Sequence, residues 1–426
     1  MMKHRGALNC VLLSAALAGT VSSCSDTLDS LGTDVSSNGG SAGGAAAGSA
    51  GLGNAGASSL QRVQGPTSYY NAFGVLLNKS EGEITTKIND AFQQLFYGGP
   101  DEVIFYQHQT QDDRSLILDV LHGNVRTEGI ALAMVITVEL GKREEFDQLW
   151  RYAKGVQQQK SGPAQGYFTS FCDDDVVTPC LDSYGMQQFV LALMFANARW
   201  HSSTDTPYEK DALALLDLLQ NGIGSTFDTE THLVREQPSL APPSYTRSSL
   251  EMPAAYWYWA EATGNSFWST AASAARAHLL ASAHATTGLW PMRSELSGSI
   301  TKDSPGFTEQ AYRTHLNLAL DALWGKADPD QVELADRLLD FFASKGMNTY
   351  GATYSVDGTP ILTTRSQALI SVNGALAVAA SNANRTAFVN AVWEQAIPSG
   401  DNRYYEGLLY LMSLLTLSGR LQVEPL

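Results

Sequence analysis

The chain has 426 residues, of which 44% are hydrophobic and 16% are charged. This apolar fraction excludes wholesale disorder and is sufficient for a large hydrophobic core. The 27 basic and 43 acidic residues give a net charge of −16, which argues against nucleic acid as a partner.

The first 23 residues have the organisation of an export signal. Lys3 and Arg5 form a short basic start, and the apolar run after them is too short to span a membrane as a helix. The run ends in VSSC at residues 21–24, which resembles a bacterial lipobox. We therefore expect an exported lipoprotein that is held at the cell envelope only by lipid on Cys24. A plain signal peptide, with Cys24 incidental, is the alternative.

Two further segments follow the signal. Residues 24–65 are predicted to be a disordered tether, because Gly, Ala and Ser dominate much of this stretch. Residues 66–426 show helical periodicity without a Pro-rich or polar linker, so we expect a single domain there.

The domain is predicted to be all-α. Its first long helix opens with a capping box from Ser80 to Glu83, ahead of an apolar stripe at helical spacing. Short turns are expected near 68–77 and 116–121. Almost wholly apolar helices alternate with amphipathic ones, the pattern of an inner ring wrapped by an outer ring. The other predicted helices are 128–140, 143–153, 184–200, 207–220, 250–262, 266–284, 309–323, 330–344, 366–380, 385–395 and 403–417.

Two cysteines flank an acidic loop. Cys172 and Cys180 enclose Asp173–Asp175, and in an oxidising compartment we expect a disulfide between them. Two separate buried thiols are the alternative. The loops 161–182, 222–249 and 294–308 are long, and long ordered loops often carry functional residues.

Metal and cofactor chemistry is not supported. The eight histidines are scattered, with no pair at i, i+4, and there is no cysteine cluster. We therefore expect neither a metal nor a cofactor.

The strongest local feature is a carboxylate at the start of a buried helix. Glu128 lies in the first predicted turn, two residues after Arg126 and directly before Gly129. The helix dipole favours an ionised carboxylate there, so Glu128 can be an N-terminal helix residue without a catalytic role. Arg126 before it and the apolar helix behind it still leave room for a general acid at this position.

These residues and several other motifs resemble glycoside hydrolase family 8, in particular its xylan- and oligoxylan-cleaving branch. The resemblance implies an (α/α)6 barrel, a toroid of six helical hairpins, with an open cleft for a β-1,4-linked glycan. It also implies inverting hydrolysis by two separated carboxyl groups. The motifs are VRTEG at 125–129, EEFDQLW at 144–150, GYF at 166–168, YR at 312–313 and NRYY at 402–405.

The resemblance assigns roles to residues of this chain. Glu128 falls on the general acid, whereas Arg126, Arg313, Tyr404 and Tyr405 fall on substrate-binding positions in or beside the cleft. Tyr184 occupies the position of an aspartate that grips the sugar, and Asp182 lies two residues before it.

The position of the general base departs from the family pattern. It is occupied by Gln310, and an amide cannot accept a proton from water at a useful pH. Three explanations stay open. Glu309 turns into the cleft; Asp182 or the Asp173–Asp175 loop supplies the carboxylate; or the protein binds glycans without cleaving them efficiently.

Aromatic residues are abundant in the second half of the chain. Most of them are expected to fill the core, but Trp290 lies in a Gly-Leu-Trp-Pro sequence and is predicted to be a stacking platform for a sugar ring. We expect a monomer that acts on xylan or xylo-oligosaccharides.

Overall fold

The computed structural model describes residues 59–425, with gaps at 172–178, 223–225, 239–242, 300, 302–303 and 305. The predicted export signal, Cys24 and nearly all of the predicted tether lie outside this part of the chain. Within it there are thirteen α-helices and four two-stranded antiparallel ribbons. The prediction of an all-α fold is confirmed.

The helices agree closely with the predicted ones. The largest differences are at 309–323, where a 3-10 turn at Glu309–Ala311 precedes the helix, and at 366–380, which is shorter. The helices are α1 Ala72–Leu77, α2 Glu81–Tyr97, α3 Thr127–Glu139, α4 Arg143–Tyr152, α5 Ser183–Trp200, α6 Tyr208–Asn221, α7 Pro253–Thr263, α8 Ser266–Ser282, α9 Arg313–Leu323, α10 Pro329–Ser344, α11 Gln367–Leu376, α12 Arg385–Glu394 and α13 Arg403–Leu417.

The described strands are short and lie in the connections that lead into inner helices. β1 pairs with β2, β3 with β4, β5 with β6 and β7 with β8. The turn expected near 116–121 is partly strand β2, in which Ser115 and Ile117 are buried and Leu116 is not, an alternation typical of strands. The strands are β1 Phe105–Gln107, β2 Ser115–Ile117, β3 Thr169–Phe171, β4 Pro179–Leu181, β5 Tyr245–Thr246, β6 Ser294–Glu295, β7 Thr353–Tyr354 and β8 Pro360–Leu362.

Six helices form the inner ring, and their burial explains why they are apolar on nearly all sides. In α3 every residue from Gly129 to Val138 is buried, and in α5 every residue from Ser183 to Ala196. Successive inner helices α7, α9, α11 and α13 are in contact, α3 contacts α5, and α13 contacts α3. Between α5 and α7, the Tyr256 hydroxyl donates a hydrogen bond to Gln187 Oε1 at 2.7 Å. These contacts close the ring.

The even-numbered helices α2 to α12 follow or precede the inner ones and pack outside them. They bury one face only, as α2 shows with Ile84, Ile88 and Leu95. The predicted capping box of α2 is present, because Ser80 Oγ accepts from the Glu83 amide and the Glu83 carboxylate accepts from the Ser80 amide. Inner and outer helices together make an (α/α)6 barrel.

The structure bears on two predictions from the sequence, the sugar platform at Trp290 and the disulfide between Cys172 and Cys180. Trp290 is fully buried, and its Nε1 donates to the Leu279 carbonyl at 2.9 Å, so the prediction that it is a sugar platform is wrong. Its ring belongs to the core beside His315. Cys180 is disulfide-bonded, but its predicted partner Cys172 lies outside the described residues. None of the described helices is long and apolar enough to cross a membrane.

Candidate active site

A cleft lies where the inner helices α3, α5, α9 and α13 begin. It contains a larger cavity of about 280 Å³ and a smaller one of about 60 Å³. Arg126, Glu128, Gln310 and Arg313 line both cavities, so these four residues mark the place where the two meet. The larger volume approaches the roughly 300–1,000 Å³ typical of small-molecule sites.

The start of α3 places Glu128 in this cleft. The Thr127 amide donates to the buried Ser170 Oγ at 2.8 Å, which ties the first turn of the helix to strand β3. At the next position, a Cβ on Gly129 would lie 2.5 Å from the Tyr404 ring and hydroxyl. Only glycine therefore lets Tyr404 pack this closely beside Glu128. The Glu128 side chain remains 19% exposed, so it is accessible from the cleft.

Arg313, the first residue of α9, contacts the Glu128 carboxylate directly. Its guanidinium also lies 4.1 Å from the centre of the Tyr184 ring. Burial opposes the charge of Arg313, but the nearby carboxylate of Glu128 raises its pKa, so the guanidinium stays charged. Tyr184 is itself buried beneath Arg313, and burial raises the pKa of its phenol to about 12.

Arg126 is held by a second carboxylate. Its Nε lies 3.0 Å from Asp119 Oδ2, and the same oxygen lies 2.8 Å from His122 Nδ1. Arg126 and Asp119 are both buried, whereas His122 is partly exposed in the larger cavity. Arg126 thus supports the wall of the cleft beside Glu128.

The two tyrosines at the start of α13 have different environments. Tyr404 is buried, and its hydroxyl has no hydrogen-bond partner among the described residues. Tyr405 is half-buried, and its hydroxyl donates to the Glu309 backbone carbonyl at 2.7 Å. Tyr405 therefore fixes the 3-10 turn that carries Glu309 and Gln310 against α13.

Gln310 is held from the opposite side by an arginine. Arg247 Nη1 donates to Gln310 Oε1 at 2.8 Å. A guanidinium only donates hydrogen bonds, so the amide oxygen faces Arg247 and the amide NH₂ points away from it. Arg247 also pairs with Glu236, which Arg293 contacts at 3.0 Å.

Two of the candidate bases, Glu309 and Asp182, lie among the described residues. They differ in whether their carboxyl groups already make hydrogen bonds. Glu309 is exposed, lines the larger cavity, and makes no side-chain hydrogen bond or ion pair with the described residues. Asp182 lines the smaller cavity and caps α5, because its Oδ1 accepts from the Gly185 amide at 3.0 Å. Burial and the neighbouring Glu128 raise the pKa of Asp182 to about 6. The Asp173–Asp175 loop lies outside the described residues.

The sequence and the fold both resemble those of known proteins. The family model "Glycosyl hydrolases family 8" matches residues 105–419. The chain belongs to this family. The predicted family is confirmed, and the protein is a glycoside hydrolase.

Similar proteins include exo-oligoxylanases that release xylose from the reducing end. The reducing-end xylose-releasing exo-oligoxylanase of Paenibacillus barcinonensis is 31% identical over 362 residues, which cover 80% of this chain and 93% of the relative. The structure of that enzyme complexed with xylose matches 84% of this chain and 98% of its own chain, with a TM-score of 0.77 and 29% identity. The structure of a family 8 xylobiose complex from Teredinibacter turnerae matches 83% of this chain and 97% of its own chain, with a TM-score of 0.77 and 32% identity.

The barrel of this family 8 protein brings together nearly all the residues that the sequence singled out. Those that line the cleft are Arg126, Glu128, Asp182, Tyr184, Glu309, Gln310, Arg313, Tyr404 and Tyr405. Trp290 does not reach it. The described residues contain no group of three or more His, Cys, Asp or Glu side chains that could hold a metal.

Some charged residues that line the cleft were not anticipated, among them Asp119, Glu236 and Arg247. Two of them, Glu236 and Arg247, come from the long loop 222–249, where functional residues were expected. The loop length indicated the region, but no spacing rule identifies which of its charges meets Gln310.

Proposed function

We propose that this family 8 glycoside hydrolase cleaves β-1,4-linked xylan or xylo-oligosaccharides with inversion of the anomeric centre. The observation that carries the proposal is that Glu128 and Glu309 are both among the acidic residues that line one open cavity. Inverting glycosidases need a protonated carboxyl group, a carboxylate and room for a water molecule. The xylose and xylobiose complexes of the similar proteins support a xylose-based substrate.

Glu128 acts as the general acid in this proposal. It is fixed by the start of α3 and oriented by Arg313, and it protonates the oxygen of the leaving sugar. The charges of Asp182 and Glu128 repel each other. Burial and this repulsion raise the pKa of Asp182 to about 6, so Asp182 retains a proton beside Glu128 at mildly acidic pH.

Glu309 is the proposed base that activates water. Its carboxylate is exposed in the larger cavity and is not engaged by the described residues, so it is available to a water molecule and a sugar. Asp182 is a weaker candidate because one of its oxygens already caps α5. Gln310 contributes donors from its amide NH₂ to substrate hydroxyl groups.

The direct test is to incubate the protein with xylotriose to xylohexaose and to follow the anomeric protons by NMR. Inversion predicts that the α-anomer of each new reducing end appears first, because the β-linkage is attacked from the opposite face. Initial release of the β-anomer would contradict the proposed mechanism. Absence of cleavage of every β-1,4-linked glycan would contradict the proposed activity.

Glycan binding without efficient cleavage is a second candidate function. The observation that favours it is the Arg247–Gln310 hydrogen bond, which places a neutral amide at the position assigned to the base. Calorimetric binding of xylohexaose by a wild-type protein that releases no sugar would support this candidate over hydrolysis.

We further propose that the protein is exported and anchored through lipid on Cys24. The support is the basic start, apolar run and VSSC pattern of residues 1–24, which precede the described residues. Cys24→Ala is expected to move the protein from the membrane fraction into the soluble extracellular or periplasmic fraction. Unchanged membrane association would contradict lipid attachment at this cysteine.

A further inference from the structure

Few large apolar side chains are exposed on the described residues, and some of them line the cleft. Leu121 is 55% exposed and Leu362 is 48% exposed, and both line the larger cavity. The other exposed large apolar side chains do not line this cavity. Apolar side chains combined with a few polar groups are typical of the lining of ligand-binding pockets.

The backbone before α3 holds Leu121 outward. The Asp119 amide donates to the Asn124 carbonyl at 2.9 Å, and the Gly123 amide donates to the Asp119 carbonyl at 2.8 Å. Gly123 has a φ of +65°, a conformation that favours glycine and closes the turn. The turn is therefore ordered by its own hydrogen bonds, and Leu121 is exposed at its tip without being needed for the core.

In His122, the next residue of the turn, one ring nitrogen contacts a carboxylate, and the other makes no hydrogen bond with the described residues. Its Nδ1 lies 2.8 Å from the Asp119 carboxylate, which is also paired with Arg126. A carboxylate only accepts, so Nδ1 carries the proton. In the neutral ring Nε2 is then an acceptor, and it has no hydrogen-bond partner among the described residues.

The hairpin of β7 and β8 supplies the second apolar side chain. Successive side chains of a strand point to opposite faces, and in β8 Leu362 lines the cavity whereas Ile361 does not. Ile361 is 61% exposed, so the two neighbours have similar chemistry and exposure but only one borders the cleft. This pair provides a matched internal control.

We propose that Leu121, His122 and Leu362 form an outer subsite for a sugar ring of the bound glycan. The two leucines contact the apolar C–H faces of the ring, and His122 Nε2 accepts a hydrogen bond from a sugar hydroxyl. The occupant is the next unit of the same chain, because these residues border the cavity that contains Glu128. This assignment rests on the proposed action on xylo-oligosaccharides.

The test measures binding in a Glu128→Gln background, so that hydrolysis does not consume the ligand. Dissociation constants for xylobiose to xylohexaose are compared by calorimetry among Leu121→Ser, Leu362→Ser, Leu121→Met and His122→Ala, with Ile361→Ser as the control. Loss of the apolar contact of one leucine is expected to weaken binding of the longer oligosaccharides about fivefold. Leu121→Met is expected to retain most of the affinity.

The chain-length dependence decides the outcome. A loss confined to oligosaccharides above a threshold length, absent in Ile361→Ser, supports the outer subsite. Unchanged affinity in both leucine variants, or an equal loss at every length, overturns it while leaving the proposed substrate class intact. If no xylo-oligosaccharide binds to the Glu128→Gln protein or is cleaved by the wild type, the proposed function fails instead.

Discussion

Two arginine contacts in the cleft show how differently similar side chains can be used. Arg313 meets the carboxylate of Glu128, whereas Arg247 meets the amide oxygen of Gln310. The charge of Arg313 is balanced within the pair, whereas Arg247 shares Glu236 with Arg293. The amide oxygen of Gln310 is occupied by Arg247 and an amide cannot accept a proton at a useful pH, so the proposed base is a different residue.

The largest expected effect on kcat comes from removal of the proposed proton donor, Glu128. Glu128→Gln is expected to lower kcat for xylo-oligosaccharides by about 10²–10⁴-fold, because an amide cannot deliver the proton. Binding of the same oligosaccharides is expected to change little, because the side-chain shape is retained. Steady-state kinetics and calorimetry measure the two quantities separately.

Glu333→Gln is the matched control for this variant. Glu333 is exposed on α10, and among the described residues it forms an ion pair only with Arg337, at 3.0 Å, so its replacement should leave kcat unchanged. A Glu128→Gln enzyme with wild-type kcat would show that the acid is another group.

The second prediction concerns the base. Glu309→Gln is expected to lower kcat by about 10²-fold or more with little change in KM, because water activation by a positioned carboxylate contributes on this scale. Added azide or formate is expected to restore part of the rate by acting in place of the missing carboxylate. If Glu309→Gln retains activity and Asp182→Asn loses it by this factor, the base is Asp182.

The sequence predicted the helices because their signals are local, whereas the (α/α)6 barrel was implied by the resemblance to family 8. The Ser80–Glu83 capping box and the apolar stripe of α2 are contained within a few turns of one helix. The short spacing of Arg126, Glu128 and Gly129 likewise indicated the start of α3 as a functional place. Such patterns depend on helical geometry alone and do not require knowledge of tertiary contacts.

The rest of the cleft depends on contacts between distant parts of the chain. Arg247 and Gln310 are 63 residues apart, and nothing local pairs them. Trp290 was misassigned for a related reason. Its Gly and Pro neighbours indicated an exposed loop, but in the folded protein the indole donates to Leu279 on α8 and is covered completely.

The third prediction tests the support of the Arg247 side of the cleft. Glu251 is fully buried, and its Oε1 accepts from the Val234 amide at 3.1 Å and Thr246 Oγ1 at 3.0 Å. These bonds hold the loop that carries Glu236 and Arg247. Burial raises the pKa of Glu251 from 4.5 to about 8, so the folded protein retains a proton that the unfolded chain has lost.

The sign of the resulting pH dependence follows from this shift. The stabilisation from Glu251 is fully present below about pH 4.5 and is lost as the pH rises through about 8. Glu251→Gln resembles the protonated side chain and lacks this titration. Between pH 5 and 8.5 the free energy of unfolding of the wild type is expected to fall by about 2–4 kcal/mol more than that of the variant. Parallel denaturation curves at all pH values would contradict this.

The fourth prediction exchanges the amide on the Gln310 side for a carboxylate. With Glu309 already acting as the base, Gln310→Asp is expected to change kcat by about tenfold or less, because the second carboxylate has no separate task. If wild-type kcat is low and Gln310→Asp raises it by more than about tenfold, a carboxylate at position 310 is the effective general base. Gln310→Asn is the control, because it shortens the side chain equally without adding charge.

The smallest expected effect is a change of the pH profile by Asp182→Asn. Asparagine is as good a helix cap as aspartate, so α5 should be retained. Burial and the neighbouring Glu128 raise the pKa of Asp182 to about 6, and the variant removes this titration. A change of kcat/KM near pH 6 in the wild type is therefore expected to be absent from the variant, whereas activity well below pH 6, where Asp182 is protonated, should be largely kept. Identical pH profiles of variant and wild type would mean that ionisation of Asp182 does not affect catalysis, and the residue would then act only as the cap of α5.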